Sequence, residues 1–359
     1  MSPKPNKALY VREDGQFIIR NDVEHESLAP NELLVETRYS GVNPADIKHS
    51  THLGIKKTVL GYDFAGRVLK APAGSEFKEG DAVAGYTPSG LGRKAKYGAH
   101  QSVLAVPSDL VFKIPSNLPE PHAAALTSVG MTAADIVHNL FKFPLPSNPG
   151  DISSPILIWG ASSAVGLCTL QLARASGCKN IFVTASPARH ELLKSLGATH
   201  AFDYSSPSVV ADIKSAVEAL GKGPLTHAVD TAGTSEEGSG TTEPTSADMT
   251  AQCASESTEL ASVVLRRDKK FKFPVAMTKD VFRIHPPGAP GPIDIPPRPT
   301  DHWKAWSALQ WAVANYDTKF KLPSVSVLDV TAEEALKELM NVANGKRGFG
   351  KIVLQHPLK

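Results

Sequence analysis

The sequence GASSAVG at residues 160–166 lies between a short apolar segment, PILIW, and a segment of helical composition. The first backbone N–H groups of a helix have no partner within the helix, and the helix dipole places positive partial charge there. A turn of small residues lets a pyrophosphate approach these groups. Tight strand–helix turns also occur without a ligand, but the repeated strand and helix segments that follow favour a dinucleotide site. The predicted contacts are Gly160, Ser162, Ser163, Ala164 and Val165.

The end of the next apolar segment, FVTASPARH, carries the residues that distinguish NAD from NADP. NAD sites usually place Asp or Glu there to bind the ribose 2′-hydroxyl. Ser186 occupies that position here and Arg189 follows, and a hydroxyl with a guanidinium suits a 2′-phosphate. Tyr204, after the third predicted strand, is a further candidate for contact with this phosphate or with adenine. The predicted cofactor is NADPH, the alternative being that Arg189 is a solvated first-turn residue.

Alternating strand and helix segments position these residues. PILIWG, NIFVTAS, THAFDY and LTHAVDTAG are predicted strands, and helical segments separate them. This rhythm predicts an α/β fold with a doubly wound parallel sheet. Residues 1 to about 123 and the tail FGKIVLQHP are predicted to form strands, as in a barrel-like β domain. A Ser/Thr-rich insert near 234–250 and a proline-rich loop near 285–300 interrupt the pattern, and both are candidates to border a substrate cleft.

Composition excludes several classes of protein. A chain of 359 residues is long enough for two domains, and a net charge of +2 gives no broad field for nucleic acid or an anionic membrane. Its three cysteines form no CxxC pair, which indicates reduced thiols. The N-terminal sequence has no apolar run typical of a signal peptide, and no segment is apolar enough to span a membrane. We expect a cytoplasmic protein.

The chain resembles zinc-free medium-chain dehydrogenases/reductases, close to the quinone oxidoreductases and to fungal trans-acting enoyl reductases that partner polyketide synthases. The motifs that carry the resemblance are SGVNPADIKH, LGYDFAG, GDAVAG, AAALTSVGMTA, IWGASSAVG, FVTASP, LGATHAFDYSSP and GKIVL. They run in the family's order over nearly the whole chain. The resemblance implies a GroES-like β-barrel domain formed by residues 1–123 and 300–359, with a Rossmann NADPH-binding domain, residues 124–299, inserted between them.

Zinc-dependent relatives differ at the positions that bind the metal. They carry Cys where this chain has Asn43, and Gly-His-Glu where it reads Gly-Tyr-Asp at 61–63. Residues 80–120 contain none of the four cysteines of their structural zinc site. Asp46, His49 and His52 have a spacing that can bind a metal, but isolated histidines near a loop are usually solvated. We predict no metal.

Without a Lewis acid on the oxygen, conjugate reduction is favoured over carbonyl reduction, because hydrogen-bond donors can stabilise an enolate. The resemblance implies that Lys48 and Thr132 lie beside the nicotinamide and act on the substrate. It also implies cofactor contacts from Ala45, Asp46, Lys48 and Lys351. Tyr62 is a candidate donor of the α-carbon proton; a packed tyrosine and a water donor remain open alternatives.

The predicted function is NADPH-dependent hydride transfer to the β-carbon of an α,β-unsaturated carbonyl, an enoyl thioester or an enone. A quinone oxidoreductase and a non-catalytic NADPH-binding partner protein are the alternatives. The expected partners are a small-molecule or carrier-bound enoyl substrate and a polyketide synthase, with the chain as monomer or homodimer. Arg93, Lys94 and Lys96 form a basic loop that suits a carrier phosphate or, more simply, a solvated surface.

Overall fold

The computed structural model describes residues 7–23, 27–234, 244–266, 268–276 and 279–359. The chain divides into two units. Unit 1 comprises Met1–Ser128, Met277–Pro299 and Leu322–Lys359, and unit 2 comprises Val129–Ala276 and Thr300–Lys321. The limits 123/124 and 299/300 stay predictions of the domain boundaries; the units differ from them chiefly in assigning 277–299 to unit 1 and 300–321 to unit 2.

The strands and helices are as follows in chain order. The strands are β1 Ala8–Val11, β2 Phe17–Arg20, β3 Glu32–Gly41, β4 Thr58–Val59, β5 Asp63–Lys70, β6 Ala82–Tyr86, β7 Val103–Pro107, β8 Val111–Lys113, β9 Ile156–Trp159, β10 Ile181–Ala185, β11 His200–Asp203, β12 His227–Asp230, β13 Glu259–Ser262, β14 Phe271–Lys272, β15 Phe282–Ile284, β16 Ile293–Ile295, β17 Val325–Leu328 and β18 Lys351–Gln355. The α-helices are α1 Ala45–Leu53, α2 Glu120–Ala134, α3 Ala164–Ala175, α4 His190–Ser195, α5 Val209–Leu220, α6 Ser246–Cys253, α7 Pro299–Ala314 and α8 Ala332–Ala343. Short 3₁₀ helices occupy Ala95–Tyr97, Ser108–Leu110 and Pro187–Arg189, and α2 continues as a π-helix, Asp135–Leu140.

Unit 1 is built on a mixed sheet with the order β17-β18-β3-β5-β6-β8, in which β7 also pairs with β3. The pairs of β3 with β5, β7 and β18 are antiparallel. The C-terminal strand therefore completes the sheet that the N-terminal strands begin, as the resemblance implied. Side chains of β1, α1 and α8 form its hydrophobic core, with Leu9, Ile47 and Leu339 buried together. The proline-rich loop of 285–300 includes the turn between β15 and β16.

Unit 2 contains a six-stranded sheet with the order β11-β10-β9-β12-β13-β14. Every pair in it is parallel. Apolar strands such as β9 and β10 are fully buried, as expected for a sheet covered on both faces. The chain leaves β9 on one side to form β10 and β11, and returns on the other to form β12. The carboxyl ends of β9 and β12 therefore mark the switch point where doubly wound sheets bind ligands, and the predicted fold class is confirmed.

Two predictions fall partly outside the described residues. The first six residues of the N-terminal sequence lie outside them, and so do residues 235–243 of the Ser/Thr-rich insert. The described end of that insert begins α6, where the Thr245 side chain caps the first turn. Within the described ranges, the helices are all too short or too polar to cross a bilayer.

Candidate functional site

The turn between β9 and α3 is built around two glycines at positions that leave little room for a Cβ atom. Gly160 has a φ of 77°, and a Cβ added there would lie 2.7 Å from the Cβ of Ala232. A Cβ added at Gly166 would lie 2.6 Å from the carbonyl oxygen of Gly160. The first glycine therefore supplies a left-handed backbone, and the second lets the helix approach the strand.

Two buried threonines hold this turn in place. The Thr184 hydroxyl accepts a hydrogen bond from the Gly160 N–H at 3.0 Å. The Thr231 hydroxyl donates to the carbonyl oxygens of Trp159 and Gly160, at 2.8 and 3.0 Å. Sequence reasoning missed both residues. Their signal was a threonine at the carboxyl end of each strand that neighbours β9.

The first turn of α3 presents its backbone to a ligand. Ser163 caps the helix, because its Oγ accepts from the Gly166 N–H at 2.9 Å. Within the described part of the chain, the N–H groups of Ala164 and Val165 have no hydrogen-bond partner. Both residues and Ser162 are only partly buried. Small side chains, unpaired N–H groups and the helix dipole together fit a pyrophosphate.

The other predicted cofactor residues of unit 2 follow neighbouring strands at the same sheet edge. Trp159 is in register with Thr184, and Ala185 with Asp203. The parallel pairing brings together the segments that carry Ser186 and Tyr204, beside the glycine turn. Ser186 and Arg189 are partly buried, and Tyr204 is 54% exposed. A hydroxyl, a guanidinium and an aromatic ring thus lie along the edge where a dinucleotide would extend.

In unit 1, a buried polar cluster forms where α1 begins. The Asn43 side chain donates to Asp63 at 2.8 Å and accepts from the Lys351 ammonium group. Asp63 also accepts from the Ser128 N–H at 2.8 Å, while Lys351 donates to the Val42 carbonyl at 2.7 Å. Burial raises the pKa of Asp63, and the Lys351 charge opposes this rise. The Lys351 ammonium group is thus bonded inside this cluster. Its contact with a cofactor stays a prediction.

A second chain of buried side chains runs from the C-terminal strand to α1. His356 Nε2 contacts Ser40 Oγ at 2.7 Å, Ser40 Oγ contacts His100 Nδ1 at 2.8 Å, and His100 Nε2 contacts Asp46 at 3.0 Å. His356 Nδ1 is buried without a partner. Burying an unpaired lone pair at Nδ1 costs less free energy than burying an unpaired N–H there, so His356 is assigned as neutral with its proton on Nε2. His356 then donates to Ser40, Ser40 donates to His100, and His100 donates to Asp46.

This chain changes the interpretation of Asp46. Its carboxylate also accepts from the Asn43 N–H at 2.8 Å, and its side chain has no exposed surface. The sequence suggested direct contact with a cofactor or, as the alternative, a metal. The structure instead gives the carboxylate the role of holding the start of α1, and the cofactor contact stays a prediction. Ala45, the first residue of α1, is partly buried.

Lys48 and Thr132 lie on α1 and α2. Lys48 is partly buried, and this burial lowers the pKa of its ammonium group. Thr132 is also partly buried and follows Ser128, the partner of Asp63, by one helical turn. The Asp63 cluster therefore anchors the first part of α2, while α1 carries Lys48 directly after its buried carboxylate.

Tyr62 lies in a polar cluster with residues that the sequence had assigned elsewhere. His49 Nδ1 is 2.8 Å from the Tyr62 hydroxyl, and the guanidinium of Arg93 lies 4.5 Å from the centre of the Tyr62 ring. The prediction of a basic surface loop is wrong for Arg93 and Lys96, which are both buried. Arg93 is 7% exposed, and Lys96 is 5% exposed and forms an ion pair with Glu32 at 2.7 Å.

Asn43 stands where zinc-dependent relatives carry a cysteine ligand. Its amide nitrogen donates to Asp63 and its amide oxygen accepts from Lys351. Across the residues that the structure describes, no three side chains of His, Cys, Asp or Glu are grouped as metal ligands.

Sequence comparison assigns the family. Two family models match: the alcohol dehydrogenase GroES-like domain over residues 29–116 and the zinc-binding dehydrogenase over residues 164–242. The trans-enoyl reductase TOXD of Cochliobolus carbonum is 36% identical over 204 residues, which cover 55% of this chain and 67% of that protein. The chain belongs to the medium-chain dehydrogenase/reductase family.

Other relatives of this medium-chain dehydrogenase/reductase match over a shorter share of their length. The trans-enoyl reductase himH of Aspergillus japonicus is 37% identical over 194 residues, 52% of this chain and 56% of the relative. The trans-enoyl reductase mpsG of Macrophomina phaseolina is 31% identical over 235 residues, 64% of each chain. The chain therefore matches less than two thirds of the length of these two relatives.

Solved structures show the same fold. A quinone oxidoreductase of Pseudomonas syringae superposes with a TM-score of 0.70 at 18% identity, covering 98% of this chain and 99% of that one. The CurK enoyl reductase superposes with a TM-score of 0.69 at 18% identity and the same coverage. These likenesses extend over nearly the whole of this medium-chain dehydrogenase/reductase.

Proposed function

We propose that this chain is an NADPH-dependent reductase of carbon–carbon double bonds conjugated to a carbonyl group. The observation that carries the proposal is the β9–α3 turn, where the N–H groups of Ala164 and Val165 lack partners at the switch point of a parallel sheet. The trans-enoyl reductases among the relatives support the choice of reaction.

The proposed preference for NADPH over NADH rests on the residues that follow β10 at the edge of the sheet. Gly160, Ser162, Ser163, Ala164 and Val165 would hold the pyrophosphate. Ser186 and Arg189 would hold the 2′-phosphate through charge-assisted hydrogen bonds, with Tyr204 against the same phosphate or the adenine. NADPH, when bound, supplies the hydride. Ser186 directly follows β10, at the position where NAD sites usually carry Asp or Glu to bind the 2′-hydroxyl.

Lys48 and Thr132 are the proposed donors to the enolate oxygen. Lys48 is a partly buried cation, and Thr132 is a partly buried hydroxyl that can orient the carbonyl or the carboxamide. Either group can stabilise charge on the oxygen of an unsaturated thioester or ketone. We propose that the reaction needs no zinc, since the Asn43 amide is already bonded. Ala45, Asp46, Lys48 and Lys351 are proposed to complete the cofactor side of the site, Asp46 by holding α1.

The proposed substrate is an enoyl thioester or enone, free or bound to a carrier, and the proposed partner is a polyketide synthase. The relatives that are trans-enoyl reductases support this choice. We propose a monomer or a homodimer.

The test is oxidation of NADPH by the purified protein without added metal. A short enoyl thioester, a matched enone and a simple quinone are compared as acceptors. We expect the thioester or the enone to be reduced with a higher kcat/KM than the quinone. Preference for the quinone would make the chain a quinone oxidoreductase, and tight NADPH binding without turnover would make it a non-catalytic partner protein.

The cofactor choice has its own test. The double variant Ser186→Asp with Arg189→Ala is expected to move the ratio of kcat/KM values from NADPH toward NADH by at least about 10-fold. Lys194→Ala, a change at an exposed residue of α4 bonded to Glu191, is the matched control. An unchanged ratio in the double variant would contradict the 2′-phosphate assignment.

A further inference from the structure

Arg93 is a buried cation whose partners are neutral. Its guanidinium donates to four carbonyl oxygens and one hydroxyl, and in the described part of the chain it forms no ion pair. The acceptors are Pro88 O, Val59 O, Gly61 O and Tyr97 O, with Thr87 Oγ1. A cation removed from water without a counterion is costly, so its position calls for a group that can become negative beside it.

Tyr62 is the ionisable group in contact with this cation. The guanidinium lies 4.5 Å from the centre of the phenol ring, within cation–π distance. The nearby Asp46 carboxylate, whose charge also acts on Arg93, bonds to His100 and the Asn43 N–H through one oxygen, while its other oxygen is buried without a partner. A phenolate at Tyr62 would be stabilised by the positive charge of the adjacent Arg93 guanidinium.

The Tyr62 hydroxyl is placed to exchange a proton. It lies 2.8 Å from His49 Nδ1 and 3.4 Å from the Ser89 hydroxyl, which donates to it. When His49 carries its proton on Nδ1, it donates to the phenol oxygen, and the phenol proton is free to leave toward a third group. His49 is only partly buried, and it follows Lys48 on α1.

We propose that Tyr62 is the catalytic acid that protonates the α-carbon of the enolate, that His49 resupplies its proton, and that Arg93 stabilises the transient phenolate. This assignment rests on the proposed conjugate reduction, for which the proton donor was left open. In this proposal, Arg93 stabilises a phenolate inside the protein and does not bind a carrier phosphate.

The protons balance in this scheme. The O–H bond of Tyr62 breaks as the new C–H bond forms at the α-carbon, which leaves a phenolate. His49 then gives its Nδ1 proton to the phenolate while its Nε2 takes a proton from water, so both residues end neutral with His49 in its other tautomer. Proton exchange with water restores the Nδ1–H tautomer before the next turnover. Burial raises the pKa of Tyr62 and lowers that of His49 to about 4, which keeps both groups neutral before the reaction.

The test measures which face of the α-carbon receives the proton, and it measures the rate of hydride transfer separately. An α-methyl enoyl thioester is reduced with NADPH in D₂O, and the ratio of the two α-carbon epimers is determined by chiral chromatography. Single-turnover NADPH oxidation gives the hydride step. Tyr62→Phe keeps the ring against Arg93 and removes only the hydroxyl. His49→Gln is the second variant; Tyr10→Phe and His52→Gln are the matched controls.

We expect the wild type and both controls to give one epimer. Tyr62→Phe should give a mixture of epimers and a kcat lower by about 100-fold, while its single-turnover hydride rate falls much less. His49→Gln should lower kcat by at least about 10-fold and retain most of the epimer preference.

One retained epimer in Tyr62→Phe, with kcat within twofold of the wild type, would overturn the inference and leave the proposed function intact. An unaffected His49→Gln would overturn the relay. Failure of the wild type to oxidise NADPH with any enoyl acceptor would overturn the proposed function and this inference together, and is recognised before any variant is made.

Discussion

At the scale of single residues, the glycine turn was predictable and its supports were not. The positions of Gly160 and Gly166 follow from the physical demands of a strand–helix turn, which act within a few residues. Thr184 and Thr231 reach the turn from other strands, so their hydrogen bonds depend on the order of strands in the sheet. Arg93 was misassigned for a similar reason, since its neutral acceptors are mostly backbone carbonyls that carry no sequence signal.

Gly160→Ala tests the turn at this scale. We expect NADPH affinity to fall at least about 10-fold and stability to fall by about 2–3 kcal/mol, because Ala would need a left-handed backbone and would meet Ala232. Gly221→Ala is a matched control, since Gly221 also has a positive φ, 63°, but open space around it. Fluorescence titration and thermal unfolding measure the two effects. Equal losses in the two variants would contradict the account of the turn.

At the scale of elements, the sequence predicted the strands of unit 2 but not what fixes α1. Strand–helix alternation is local information, and β9 to β12 form as expected. The start of α1 is held instead by the chain from His356 through Ser40 and His100 to Asp46. These residues are far apart in sequence, and single histidines and serines carry no pattern that joins them.

Ser40→Ala tests this chain. The substitution leaves one nitrogen of His100 and one of His356 buried without partners, which is expected to cost about 2–4 kcal/mol of unfolding free energy. Because α1 carries Lys48, we also expect a higher KM for the acceptor. Ser257→Ala, at an exposed residue, should change stability by less than about 0.5 kcal/mol. Urea denaturation distinguishes the two, and a Ser40→Ala variant as stable as the control would contradict the assigned hydrogen bonds.

At the scale of the whole molecule, the motif order predicted the family and both folds. The exact division of the chain was harder to predict, because α7 and the β15–β16 hairpin follow each other in sequence yet belong to different units. Helical and strand propensities describe each segment, but only the long-range contacts decide which core each segment joins.

Buried neutral histidines make the molecule sensitive to acid. Burial lowers the pKa of His49, His138 and His227 to about 4 and that of His356 to about 3. Between about pH 6.5 and these values the unfolded chain binds more protons than the folded chain, so stability falls as the pH falls. Each such histidine lowers the free energy of unfolding by about 1.4 kcal/mol for each pH unit of acidification in this range.

His356→Gln isolates the contribution of one buried histidine to the pH dependence of stability. Gln can still donate to Ser40 but cannot titrate, so the loss of stability between pH 6.5 and pH 4.5 should be smaller than in the wild type by about 1.4 kcal/mol per pH unit. His52→Gln, at an exposed residue of α1, is the control and should follow the wild type. Thermal unfolding across this range measures the difference, and a slope equal to that of the wild type would contradict a buried neutral His356.

The most direct test of the central claim follows the hydride itself. NADPH carrying deuterium at the transferable C4 position is incubated with the protein and an enoyl thioester, and the product is examined by NMR. We predict a saturated thioester with deuterium on the β-carbon. Deuterium on the carbonyl carbon, or none in the product while NADPH is consumed, would contradict conjugate reduction.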